Sequence, residues 1–296
     1  MRKFTLALLA LALTATSVMA QTQQSAPTLR VVTDDPNLPS DLFYGNVKVK
    51  PLRLRPGTNQ RITIDDADFY VQQHYVDFLS RFPDAGGLNY WTGIITNCNG
   101  DAKCIDDARV NVSAAFFISQ EFQESGYFIY RFYKGTLGRM PTYAEFTPDR
   151  RQVVGGTNLE ASKTAFANAW VQRAEFLQNF PASITTAEAF VDKLISTIKT
   201  TTKGTVDLTS QRASLLSAYQ TGGRAAAMRQ AVETKAFSDA EYNNAFVEMQ
   251  YFGYLRRDPE PGGYSFWIDI LNNRVPNNYR SMVKAFITAQ EYRDRF

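Results

Sequence analysis

Histidine occurs once in this chain of 296 residues, at His74, and cysteine twice, at Cys98 and Cys104. One imidazole leaves little room for catalysis by a nucleophile–histidine–acid arrangement. His74 stands beside Tyr75 in helical sequence, and a structural role is the expectation for it. A structural zinc site needs about four Cys or His ligands, which a Cys pair without a neighbouring His does not supply. No metal, no cofactor and no catalytic residue is therefore expected. After the first 20 residues, no apolar run reaches the roughly 20 residues that cross a bilayer. An excess of one charge is lacking too, with 32 Lys+Arg against 29 Asp+Glu. That balance gives no general pull toward nucleic acid or an anionic membrane.

What is present begins with a basic start, Arg2 and Lys3, an apolar run from Phe4 to about Leu13, and small residues around Ala20. This reads as a secretory signal peptide over 1–20, too short in its apolar part for an anchor. Its loss removes two cations, so net +3 falls to about +1. The expected location is extracellular or periplasmic, with no transmembrane segment left. In an oxidising compartment Cys98 and Cys104 read as a disulfide closing a small loop and adding roughly 2 kcal/mol. A metal site is the weaker reading of the pair.

Residues 21–60 read as a flexible leader and an extended arm. In the arm, Asn46–Arg55 alternates apolar and basic residues, with Pro51 interrupting any ladder. Lys48, Lys50, Arg53 and Arg55 would share one face, either solvated or a docking surface for an acidic polymer.

The stretch Val71–Ile95 is written twice. Val247–Leu271 repeats its Val, Tyr, Leu, Arg, Pro, acid, both Gly and Trp at a constant offset of 176. A recurring pattern implies a recurring structural unit. Val71, Tyr75, Phe78 and Leu79 form a helical apolar stripe. A corner follows, Pro83, Asp84, Gly87 and Trp91, with Asp84 placed to cap a second helix. Gly86 and Gly87 serve positive φ or close approach. The second copy of the corner is Pro259, Glu260, Gly263 and Trp267. A third helix is expected to end in Glu–aromatic, at Glu121-Phe122 and Glu291-Tyr292. Phe128–Pro141 repeats the first helix and corner, closing at Glu175-Phe176. A fainter copy starts at Phe190 and closes at Thr234–Phe237. The expected fold is all-α: four related three-helix units packed side by side over 61–126, 127–180, 188–240 and 243–296, after the extended arm.

Three units carry both a corner Arg and a terminal Glu: Arg81 with Glu121, Arg139 with Glu175, and Arg257 with Glu291. The third unit lacks both, having Ala236 at the Glu position. Joint loss is what a buried Arg–carboxylate pair predicts, since either partner alone inside is costly. The expectation is a bidentate fastener joining third helix to corner, worth about 3–5 kcal/mol if buried. An exposed, ligand-binding Arg is the rival.

The residues Arg81–Trp91 and Ser119–Phe122, with Arg257–Trp267 and Gln290–Tyr292, resemble a bacterial repeat family, domain of unknown function 4214. The resemblance implies small α-helical modules of secreted and envelope proteins, among them surface-layer and calcium-binding repeat proteins. The family is also similar to the helical linker domains of light-harvesting antenna complexes. It implies no activity. The Cys98–Cys104 insert departs from the pattern, as does Thr142-Tyr143-Ala144 where the corner glycines are missing.

Two acidic clusters, Asp65, Asp66 and Asp68, then Asp101, Asp106 and Asp107 near Cys104, suggest calcium by ligand type but lack the spacing of a wrapping loop. Helix capping accounts for the first. Gly222-Gly223 reads as a helix break. Tyr127, Tyr130 and Tyr133, interleaved with Arg131 and Lys134, read as inter-unit packing, or else as a stacking site for sugar or peptide. The functional expectation is a non-catalytic exported scaffold or adhesion module binding envelope protein or polysaccharide. The alternative is a secreted glycan-acting enzyme with unidentified carboxylates.

Overall fold

The computed structural model describes residues 57–153 and 155–296, Leu54 and Arg55, and the backbone of three short strands before them. The segment read as a signal peptide lies outside the described residues. Strands β1 (Leu29–Val32), β2 (Asp41–Tyr44) and β3 (Val47–Val49) form an antiparallel meander in that order. Leu29 pairs with Tyr44, and Leu42 with Val49. The flexible-leader reading is thus corrected at 29–32, where Leu-Arg-Val-Val has the β propensity to pair. The side chains of Lys48, Lys50 and Arg53 lie outside the described residues.

From Ala67 onward the chain is helical, so the fold is all-α beyond this small sheet. The helices are α1 (Ala67–Leu79), α2 (Ala85–Thr96), α3 (Ala102–Ile118), α4 (Gln120–Glu124) and α5 (Gly126–Phe132). Next come α6 (Tyr143–Arg150), α7 (Leu159–Trp170), α8 (Ala174–Asn179), α9 (Ala187–Thr201) and α10 (Arg212–Val232). The last are α11 (Lys235–Gln250), α12 (Pro261–Asp269), α13 (Tyr279–Thr288) and α14 (Gln290–Arg293). Both α5 and α11 continue into a π-helical turn, Tyr133–Leu137 and Tyr251–Leu255. Inside α10, Gly222 and Gly223 leave helical geometry, Gly223 with φ 65°, so the helix breaks where the sequence placed a break.

The ends of these helices follow the repeated pattern. Ser80, Gly138 and Arg256, one residue before each corner Arg, all take the left-handed conformation that stops a helix. Ser119, Arg173, Thr234 and Ala289 are all extended, with ψ near 140°. The third helices therefore stop before the Glu–aromatic pair, which opens the next helix instead of ending the last. This corrects the expected unit ends. In particular, Thr234–Phe237 begins α11, so the boundary between the third and fourth units falls inside one helix.

Packing also departs from a side-by-side row. Helix α3 packs on α13 and α1 on the Tyr251–Leu255 turn, while α7 packs on α10 and α9 on the Tyr133–Leu137 turn. The first unit pairs with the fourth and the second with the third. Phe78 meets Tyr254, its own counterpart at offset 176, edge to face at 5.1 Å. A residue that meets its counterpart marks an approximate twofold axis. Enclosure in these pairs buries the first helices on every side: Phe69–Val71 and Gln73–Phe78 of α1 are all buried, as is the whole of α5. The single stripe expected for α1 understates this.

At the heart of the first pair, a Cβ on Gly253 would stand 2.6 Å from the Phe78 ring. Overpacking of this kind costs about 1–3 kcal/mol, more than the ~1 kcal/mol that Ala gains over Gly in a helix. Gly253→Ala is expected to lower stability by about 1 kcal/mol in urea unfolding; an unchanged or raised midpoint would show that the two units are not closely packed there.

Candidate functional site

Each corner Arg lies between a tyrosine ring of the preceding helix and a glutamate from the start of another. Arg81 Nε and Nη2 donate to the two oxygens of Glu121, both at 2.7 Å, and its guanidinium lies 4.9 Å from the Tyr75 ring centre. Arg257 donates to Glu291 at 2.6 and 3.1 Å and lies 5.2 Å from Tyr251. Arg139 donates from Nε to Glu175 at 3.0 Å and from Nη2 at 2.8 and 2.9 Å, 5.3 Å from Tyr133. A third donor, Nη1, reaches the next carbonyl in each case, on Phe82, Met140 and Asp258. The fork geometry of arginine suits such planar, many-point fastening.

These pairs are half-exposed, with side-chain exposures of 40% and 26% for Arg81 and Glu121 and 39% and 50% for Arg257 and Glu291. The expectation of a buried pair is corrected: a corner that turns outward keeps its guanidinium partly in water. The hydrogen bonds that Arg81 donates to Glu121 hold its guanidinium above its ordinary range.

The corner acids differ between units. Asp84 accepts from the Gly87 amide at 2.8 Å, capping α2. Glu260 instead joins Arg257 and the Tyr251 hydroxyl. A Cβ on Gly87 would collide with the Tyr75 hydroxyl, and one on Gly263 with that of Tyr251, so these glycines serve close approach. The second unit has Glu145 at this position. Glu145 closes a capping box with Thr142 and takes Arg139 at 2.7 Å, which pulls its carboxyl down to about 2. The Tyr133 hydroxyl turns away to Asp149. Pro83 and Pro259 are half-buried in their corners. Trp91 and Trp267 rest on Phe116 and Phe286 of the third helices, at 5.7 and 6.1 Å. The tyrosine stack was missed in the sequence, though a Tyr six residues before each corner Arg was there to signal it.

The remaining expected residues are engaged in structure. Cys98 and Cys104 form a disulfide, Cα atoms 5.5 Å apart. Asp101 caps α3, Asp106 pairs with Lys284 of α13, and Asp107 with Lys103. Asp66 and Asp68 bind Arg55 of the arm, and Asp65 binds Arg109 and Arg293. Asp66 is the N-cap residue of α1 without a side-chain cap bond, and Asp68 takes the first-turn amide of Phe69, so arginine pairing joins the helix start as the reason for that cluster. Tyr127 and Tyr130 are fully buried and bond Ser238 and Glu241 of α11.

The structure also assembles groups that the sequence did not bring together. The Ser113 hydroxyl lies 2.7 Å from His74 Nε2 and also bonds the Tyr254 hydroxyl. Nδ1 lies 2.8 Å from the Tyr70 carbonyl, which can only accept, so Nδ1 carries the proton. This serine–histidine pair has no carboxylate behind it, and both residues are only 1% exposed. Burial holds the His74 imidazole down to about 4, and hence neutral. Glu248 is 1% exposed with no hydrogen-bond partner for Oε2, and burial pushes its carboxyl well up. Neither group lines the void of about 20 Å³ beside Asp77, the groove along α10 near Arg229, or the one between Leu137 and Thr201.

What the corners present to solvent is the second helix. In α2 only Ile95 is buried, and in α12 no residue is. Ala85, Gly86, Asn89 and Tyr90 are exposed, and so are their counterparts Pro261, Gly262, Ser265 and Phe266. Tyr90 is 64% and Phe266 50% exposed, each edge to face with the adjoining Trp at 4.9 and 5.1 Å.

No family model matches the chain, and neither a curated protein nor a solved structure matches it.

Two measurements probe these groups. With solvent screening, a half-exposed bidentate pair is worth about 1 kcal/mol, well below a buried one. Glu121→Ala is expected to cost about that much, less at 0.5 M salt, with the loss coupled to Arg81→Met in a double-mutant cycle; no change in melting temperature would remove the fastening role. His74 has a folded pKa near 4 against 6.5 unfolded, so the unfolded state binds the extra proton between them. Its contribution is intact above pH 6.5 and falls by about 3 kcal/mol as the pH drops to 4. Urea midpoints across that window should flatten in His74→Gln relative to the parent chain; parallel curves would contradict a buried neutral imidazole.

Proposed function

We propose that the chain is a non-catalytic, exported scaffold or adhesion module of the cell envelope or extracellular matrix, of the kind represented by domain of unknown function 4214. The observation that carries this reading is the pair of exposed aromatic faces on α2 and α12, held at equivalent positions by corners built alike. A binding module needs a rigid platform with unpaired contact groups, and the corner supplies the rigidity through an Arg fixed by Tyr, Glu and a backbone carbonyl. The export reading rests on the N-terminal pattern and is supported by the Cys98–Cys104 bond. The groups with catalytic potential, His74 with Ser113 and the carboxyl of Glu248, are enclosed, which favours binding over glycan hydrolysis.

The test is a glycan-array and envelope-extract pull-down with residues 21–296, reading retained polysaccharide and protein. Retention of at least one class is expected, and reduced on blocking α2 and α12. Retention of neither would overturn the proposal.

A further inference from the structure

The two exposed faces share a feature that the fold itself does not require. Gly86 and Gly262 sit in the first turns of α2 and α12, and neither has positive φ. A Cβ on Gly262 would meet nothing within 4 Å, and one on Gly86 only the Asp84 carboxylate at 3.3 Å. Glycine in a helix costs about 0.5–1 kcal/mol relative to Ala. Their neighbours Gly87 and Gly263 are accounted for by the tyrosine hydroxyls, whereas Gly262 has no such neighbour and Gly86 only the close Asp84 carboxylate. In both copies the missing side chain leaves a bare shelf one turn before an exposed ring, with an amide (Asn89) or a hydroxyl (Ser265) beside it.

Size and charge narrow the occupant. A fully covered aromatic contributes roughly 150–250 Å², so rings that are 64% and 50% exposed offer roughly 100 Å² each. A stable protein interface needs about 800 Å² per partner, whereas one sugar ring needs only a platform of this scale. Helix α2 contains no charged residue, and α12 only Asp269, the last in the helix. The charges at the shelf edge are carboxylates, Asp84 with 71% and Glu260 with 54% of the side chain exposed. They repel a polyanion and can accept hydrogen bonds from hydroxyls. The corner cations Arg81 and Arg257 are already bound to Glu121 and Glu291.

Resting on the binding reading above, we propose that Tyr90 with Gly86 and Asn89, and Phe266 with Gly262 and Ser265, are two equivalent subsites for an uncharged polysaccharide. A pyranose face would lie over the bare shelf against the ring. Where one chain of a repeating polymer reaches both sites, the avidity exceeds that of either alone.

Affinity gel electrophoresis of residues 21–296 tests this with laminarin and hydroxyethylcellulose as neutral probes and polygalacturonate as the acidic one. The parent chain should be slowed by at least one neutral probe and not by polygalacturonate. Tyr90→Ala or Phe266→Ala alone should weaken retardation about tenfold or more, and the double variant should abolish it. Gly86→Leu with Gly262→Leu, which fills the shelves and keeps the rings, should do the same. Circular dichroism and melting temperature verify that each variant is folded. Retardation unchanged in the folded double variant, or stronger on polygalacturonate, overturns the assignment. If no polysaccharide slows the chain while the pull-down retains an envelope protein, the polysaccharide subsites are wrong and the scaffold reading stands. If both fail, so does that reading.

Discussion

A helix buried on every side has no water to satisfy its polar groups, and that constraint organises this molecule. Helices α1 and α5 and the latter half of α11 are enclosed in this way. Each polar side chain left inside must find a partner in the protein or bear a cost of about 1–3 kcal/mol. His74 therefore bonds the Tyr70 carbonyl and Ser113, and Tyr130 bonds Glu241. Burial pushes the Asp77 carboxyl up, but Arg295 and Arg256 more than offset it and hold it below the usual range. Several of these partners come from a different unit, so the same bonds that satisfy the buried helices also tie the units together. Among the described residues of these helices, Glu248, Gln250 and the Nε of Arg131 are the exceptions, with side-chain atoms left unpaired inside.

The constraint also explains the nested pairing. An amphipathic first helix would be content with one neighbour and would stack in a row. These helices are apolar on more than one side, as Tyr70, Val71, Tyr75, Val76 and Phe78 show, and need a second surface. The approximate twofold, on which Phe78 meets Tyr254, supplies it.

Local features were legible in the sequence because local chemistry fixes them. The Asp84 cap, the break at Gly222-Gly223 and the Cys98–Cys104 loop each depend on residues within a few positions. The Arg–Glu partners, 34–40 residues apart, were legible only because the chain repeats them. Their exposure was not, since the pattern records that two groups meet and not how much water reaches them. Nor was the start of a helix at Gln120: periodicity runs on through Phe116 and Phe122, and the interruption at Ser119 is marked only by its N-capping hydroxyl, with no proline or glycine. The union of Ser113 with His74 depends on how α3 lies across α1 and leaves no local trace.

The second helices are where the corner has its use. A helix of about ten residues is marginal alone in water, and α12 has no fully buried residue to hold it. It persists through its ends and one edge: Glu260 bound to Arg257, Gly263 beneath the Tyr251 hydroxyl, and Trp267 resting on Phe286. In α2 the same work falls to Asp84, Gly87 and Trp91. If these contacts served only to close the core, the helix they hold would be expected to turn its aromatics inward. It turns Tyr264 and Trp267 inward but keeps Phe266, like Tyr90, in solvent. The half-exposed Arg–Glu fastener belongs to the same arrangement. A corner that must hold a helix at the surface has to lie at the surface itself, and arginine bound at three points does so without burial.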